Sequence, residues 1–167
     1  MNTTLFFILI VVIALILGPL VMLKPKPGQK IKEQLRMNAR ALGLRFTLRS
    51  LPKLKTDMEA SGVCPVYYLP PSEALASQPE WLLMRTRYEH EANFYKEWDW
   101  QTDSVATRDA QALLLGFMPQ LPVSVCAISA GPQGVCVFWR EQGGEPVLTL
   151  IHDMLCALES CVVIEAG

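Results

Sequence analysis

No charged side chain precedes Lys24, only two histidines occur, and the five cysteines contain no C-x-x-C pair. Each absence excludes something. A cleaved secretion signal pairs a basic start with a shorter apolar core and a small-x-small site, and the opening Met-Asn-Thr-Thr has no basic residue. An odd set of cysteines (Cys64, Cys126, Cys136, Cys156 and Cys161) does not fit the dense, even framework of a disulfide-stapled secreted domain. Free thiols in a reducing compartment fit better, most of them buried like small hydrophobes. No glycine-rich phosphate loop, dinucleotide fingerprint, G-x-S-x-G elbow or H-E-x-x-H helix is present. No cofactor is therefore expected.

What is present is a split in charge that the net value of −1 conceals. Residues 24–55 carry ten of the fifteen Lys and Arg and one acid, Glu33, for a net +9. Residues 56–167 carry five bases and fifteen acids, for a net −10. Ahead of the basic part lies an uncharged apolar run, Leu5–Leu23. As a helix it would cover about 28 Å, close to the ~30 Å hydrocarbon core of a bilayer. It reads as a transmembrane helix, with Gly18 and Pro19 tolerated near one end. The bases lie on its C-terminal side only. The positive-inside rule therefore puts residues 1–4 outside and the remainder in the cytoplasm.

Residues 24–43 form a basic juxtamembrane arm. Pro25 and Pro27 stiffen its start, and a helix is predicted from about Gly28 to Leu42, with Gly43 at its C-cap. Ile31, Leu35 and Leu42 line one face, with Asn38 and Ala39 completing the stripe, and the helix is expected to dock on the domain through Ile31, Leu35 and Leu42. Lys24, Lys26, Lys30, Lys32, Arg36 and Arg40 are candidates for contact with anionic headgroups. The simpler reading is that they set topology and solvate one face. Nucleic acid fits less well, because the run is short and interleaved with one aromatic, Phe46.

Residues 44–161 read as one α+β domain. Leu44, Phe46 and Leu48 alternate with polar residues, as in a half-buried strand. Residues 52–80 are punctuated by five prolines and leave only Val66–Leu69 as a strand. Trp81–Tyr88 and Asn93–Gln101 are expected to pair antiparallel across Glu89–Ala92. Ser104 is placed to cap a helix over Val105–Met118, ended by Pro119 and Pro122. Val123–Ala130 and Val135–Glu141 form a hairpin across Gly131-Pro132-Gln133-Gly134. Gly143-Gly144 precedes a last helix with a core stripe of Val147, Leu150, Ile151, Met154, Leu155 and Leu158, and residues 162–167 form a tail. The predicted architecture is an N-terminal transmembrane helix plus an α+β domain, with a mainly antiparallel sheet and helices packed on one face.

Candidate chemistry is sparse. His152 and Cys156 are i, i+4 on the last helix, with Cys161 following, but zinc needs three or four ligands. A cysteine nucleophile would need His90 or His152 brought to it by the fold. Glu89, His90 and Glu91 read as a solvated turn. Tyr95, Trp98 and Trp100, in an acidic stretch, are candidates for contact with a partner protein, against the plainer reading of core packing.

Residues 27–52, PGQKIKEQLRMNARALGLRFTLRSLP, follow the apolar run. Tyr67-Tyr68-Leu69-Pro70, the Trp81 strand and Trp139-Arg140-Glu141 come later. Together they resemble a group of short single-pass gammaproteobacterial inner-membrane proteins. In that group a Pro-rich exit leads into a basic helix with an ending like Ala39-Arg40-Ala41-Leu42-Gly43-Leu44 and an Arg-rich strand. The resemblance implies a bacterial inner-membrane location and carries over no activity or functional residue.

The function expected from the chain is a membrane-tethered cytoplasmic interaction or assembly module, with the lipid bilayer and a membrane protein as partners. An enzyme or sensor domain with a thiol-based site and an anionic-lipid-binding module are the alternatives.

Overall fold

The computed structural model describes residues 3–22, 27–51, 62–76, 78–86 and 88–165. The chain divides into two compact units, Met1–Gln34 and Leu35–Gly167.

The first unit holds helix α1, Thr3–Met22, and the opening turns of α2, Pro27–Ala41. The large apolar side chains from Phe6 to Leu17 are exposed around the helix. The expectation of a transmembrane helix over 5–23 is corrected: among the described residues no helix is long and apolar enough to cross a membrane. Lys24 and Lys26 lie outside the described residues, as does the 52–61 part of the predicted loop over 52–80.

The second unit is α+β. Its strands are β1 (Arg45–Ser50), β2 (Val63–Tyr68), β3 (Trp81–Arg85), β4 (Trp98–Trp100), β5 (Val125–Gly131) and β6 (Gly134–Trp139). They form one antiparallel sheet in the order β1-β2-β6-β5-β3-β4. A single turn, α3 (Glu73–Ala76), precedes β3. Helix α4 (Arg108–Phe117) runs into a 3-10 turn, Met118–Gln120, and α5 spans Gly144–Glu165.

Alternation sorts the strand residues onto two faces. Tyr67, Leu83, Trp98, Ile128, Val137 and Trp139 point to one face. There they meet Leu35 and Ala39 of α2, Leu75 of α3, Ala110 and Leu114 of α4, and Leu148, Ile151, Leu155 and Leu158 of α5. Every helix-borne core residue lies on this face, as the sequence pattern implied. The opposite face is also apolar, built from Cys64, Val66, Leu82, Met84, Cys136 and Phe138 with their neighbours. The two faces explain why β5 and β6 are buried at every position: a central strand covered on both sides has no solvent parity.

Local departures have local causes. Thr107, not Ser104, caps α4, its Oγ1 accepting from the Ala110 amide. The Ser104 carbonyl instead accepts from Thr102 Oγ1, at 2.8 Å. The predicted strand over 93–101 shrinks to Trp98–Trp100 because a tight turn precedes it. Tyr95 and Trp98 exchange both backbone hydrogen bonds, Lys96 has a φ of 47°, and Asn93 Nδ2 donates to the Lys96 carbonyl at 2.6 Å. β2 begins three residues before the predicted strand, with Pro65 opposite Leu48 on the edge strand β1. The last helix continues beyond Cys161, into the predicted tail.

The β5–β6 turn depends on glycine. Gly134 has a φ of 96°, and a Cβ there would stand 2.2 Å from the Leu69 carbonyl oxygen. Gly134→Ala should destabilise the domain by more than about 1 kcal/mol in chemical denaturation, since backbone strain and a backbone clash combine. Gly116 is helical and open on the side a methyl would occupy. Gly116→Ala should be neutral or stabilising, by up to about 1 kcal/mol in the same assay.

Candidate interaction and ionisable sites

Three groups of side chains stand out, and the sequence pointed to parts of each. The first is centred on Glu141. This residue follows β6 with a φ of 58°, in the left-handed region that glutamate rarely adopts. Its side chain is fully buried. The carboxylate is held by Arg36, Nε to Oε1 at 2.7 Å and Nη2 to Oε2 at 3.0 Å, a fork-on-fork pair. Tyr67, in β2, donates its phenol to Oε1 at 2.9 Å. The Arg36 guanidinium also lies over the Phe46 ring, 4.2 Å from its centroid. Two residues further along α2, Asn38 Nδ2 donates to Glu145 Oε1 at 3.1 Å.

These contacts sort the basic arm. Arg36 faces the domain and is occupied there, whereas Lys30, Lys32 and Arg40 are exposed on α2. The docking face is Leu35 and Ala39, both buried, while Ile31 and Leu42 are 63% and 41% exposed. Leu35 and Ala39 of the predicted stripe are thus buried, whereas Ile31 and Leu42 are not, and the buried carboxylate claims Arg36 beside them. No local pattern links residues 105 apart, so spacing along the helix could not show this pair.

The second group is aromatic. Trp98 is in the core, at 1% exposure, and so offers no ring to a partner. Tyr95 and Trp100 are half-buried at the β4 edge. Trp100 packs edge-on against Trp81, with centroids 5.6 Å apart, and against Phe94 at 5.1 Å. Arg85, which the sequence did not single out, organises this end. Its guanidinium pairs with Glu97, lies 4.7 Å from the Trp98 ring centroid and donates to the carbonyls of Leu121, Pro122 and Val125.

The third group is the five thiols, none of them in a disulfide. His152 Nε2 lies 3.5 Å from Cys156 Sγ, and His152 Nδ1 lies 3.2 Å from Asp153 Oδ1. The arrangement resembles a cysteine–histidine–acid relay, but burial and the carboxylates of Glu159 and Asp153 push the Cys156 thiol up, away from the thiolate. Among the described residues no three His, Cys, Asp or Glu side chains converge as metal ligands. A cavity of about 90 Å³ beside Trp81 and Thr107 is lined by apolar and neutral side chains, small against the roughly 300 Å³ at which ligand pockets begin.

The Glu141 cluster carries a pH signature. Burial, then the hydrogen bond to Glu141, push the Tyr67 phenol above its ordinary range. A group whose folded pKa is raised contributes its full stability below the unfolded value of ~10 and loses it as pH rises toward the folded value. The unfolding free energy should therefore fall above about pH 10. Tyr67→Phe should cost about 1–3 kcal/mol at neutral pH and make that alkaline decline shallower. Arg36→Met should cost more, about 2–4 kcal/mol, because it strands the buried carboxylate. Denaturant titrations from pH 7 to 11 read all three effects. Compared with protein-family models, curated proteins and solved structures, the chain gives no match.

Proposed function

We propose that the chain is a non-enzymatic interaction or assembly module, held at a membrane through association of α1 with a membrane-protein partner. One observation carries the reading. Eleven large apolar side chains between Phe6 and Leu17 are each 45–71% exposed, on all sides of the helix. A contiguous apolar surface of that kind marks a binding site rather than a solvent-facing element. The second unit adds a preformed domain whose α2 turns are fixed by a buried ion pair. A partner would meet a rigid surface and lose little of its binding energy to ordering it.

The charge split and the free thiols support a location at the bacterial inner membrane with the domain on the cytoplasmic side. So does the resemblance to inner-membrane proteins. The test is in-cell crosslinking, followed by mild detergent extraction of the full chain. A defined membrane protein should be recovered in constant ratio, and replacing alternate apolar residues of α1 with serine should abolish the recovery. Consistent recovery of a lone monomer contradicts the reading.

A second reading, attraction to anionic lipid, is favoured by the exposure of Lys30, Lys32 and Arg40 along α2. Binding of the full chain to phosphatidylglycerol vesicles should weaken with salt and with charge reversal at those three positions, Arg36 left intact. Insensitivity to both treatments removes it.

A further inference from the structure

The sheet ends in two edge strands, β1 and β4, and the two edges differ. An unpaired edge presents a row of amides and carbonyls to any extended chain that reaches it. At β4 these groups are largely taken. Trp98 exchanges both of its backbone hydrogen bonds with Tyr95, and the Trp100 amide donates to Asp99 Oδ1 at 2.9 Å. At β1 the edge is open. The strand has six residues against three in β4, and it pairs with β2 from Arg45 to Ser50 without a bulge. It holds no proline. Among the described residues, no backbone hydrogen bond reaches it from any strand but β2.

The two sides of β1 carry different chemistry. Alternation puts Phe46, Leu48 and Ser50 on the helix side, since Phe46 packs edge-on against the core ring of Tyr67, with centroids 5.5 Å apart. The helix layer reaches Phe46, where Arg36 lies over the ring, but not Leu48, which is 57% exposed. Leu48 pairs with the half-buried Pro65, and Val63, two residues back along β2, is 64% exposed. A small apolar ledge thus borders the edge. The opposite side carries Arg45, Thr47 and Arg49. Arg45 is exposed, while Arg49 is half-buried and turns inward to the Tyr68 ring and Cys136 Sγ. Neither β1 nor β2 holds an acidic residue to meet Arg45.

We propose that the β1 edge accepts an extended segment of a partner protein as an added strand, one whose side chains alternate between acidic and apolar. Main-chain hydrogen bonds to the open edge supply affinity, and the two sides of the strand supply selectivity. Residues of one parity lie beside Leu48 and continue its apolar ledge. Those of the other parity lie beside Arg45, Thr47 and Arg49, where a carboxylate forms a cross-strand pair with Arg45. A copy of β1 brings no carboxylate to Arg45 in any register, so a second copy of the chain is the poorer occupant. This surface belongs to the second unit, and its binding does not depend on what α1 meets.

The test adds a blocked heptapeptide of alternating glutamate and valine to the full chain in mild detergent. Binding should saturate below about 1 mM, weaken with salt, and slow amide exchange in Arg45–Ser50 but not in β4. Arg45→Glu, at an exposed position, should weaken binding about five-fold or more with the unfolding midpoint unchanged. A lysine–valine heptapeptide should bind that variant better than the parent. Alternate amides of a strand point to opposite sides, so only one parity of the peptide can donate to β1. Of two peptides, N-methylated on the glutamates or on the valines, one should bind and the other should not. No saturation in that range, equal behaviour of the two methylated peptides, or an Arg45→Glu variant that binds as the parent does overturns the proposal. So does protection of β1 that rises with protein concentration in the absence of peptide, which assigns the edge to a second copy.

Discussion

A carboxylate whose side chain is wholly out of water cannot be left alone, and much of the second unit is arranged around the one on Glu141. Its charge is met by Arg36 from a helix far upstream and by Tyr67 from the neighbouring strand. Meeting it sets the rotation of α2, which in turn selects Leu35 and Ala39 as the buried face. It also holds residue 141 in a backbone conformation that glutamate would otherwise avoid, with the contacts around the carboxylate offsetting the strain. Replacing the cluster with apolar residues of similar volume could be neutral in stability. The ion pair therefore acts chiefly on orientation, fixing one seating of α2.

Arg85 plays a comparable part at the far end of the sheet. It joins a three-residue edge strand to the segment entering β5 through a charge pair, a ring face and three carbonyls. A strand as short as β4 has little ladder of its own. The side chains of Arg85 and Trp98 supply what its backbone cannot. A short, twisted edge also offers little template for unwanted pairing.

What was legible in the sequence follows the range of the physics. Period-two alternation at Leu44–Leu48, the turn at Gly131–Gly134, the apolar stripe of α5 and the glycine after α2 are all local, and each lies where the pattern placed it, within a few residues. Choices between adjacent candidates were not legible. Thr107 caps α4 because the helix begins at Arg108, three residues later than a cap at Ser104 requires, a choice that spacing does not reveal. Nor was the role of Arg36, which looks like its neighbours Lys32 and Arg40 until Glu141 is brought beside it. The apolar N-terminal run was read from composition as a membrane-crossing helix, yet among the described residues no helix has the required length and apolarity. Of the candidate partner residues, the sequence could not tell that Trp98 is covered and Trp100 only half so.

The strand order has a consequence for how the chain is made. β5 and β6 occupy the centre of the sheet, yet they are the last strands to be synthesised. Before them, only the neighbour pairs β1–β2 and β3–β4 can form, and neither pair touches the other. The two halves stay apart until residues near 139 have left the ribosome, and the long separations that close at that moment favour slow assembly. The apolar helix α1 is by then long since exposed. Whatever receives that helix therefore meets it before the domain behind it exists.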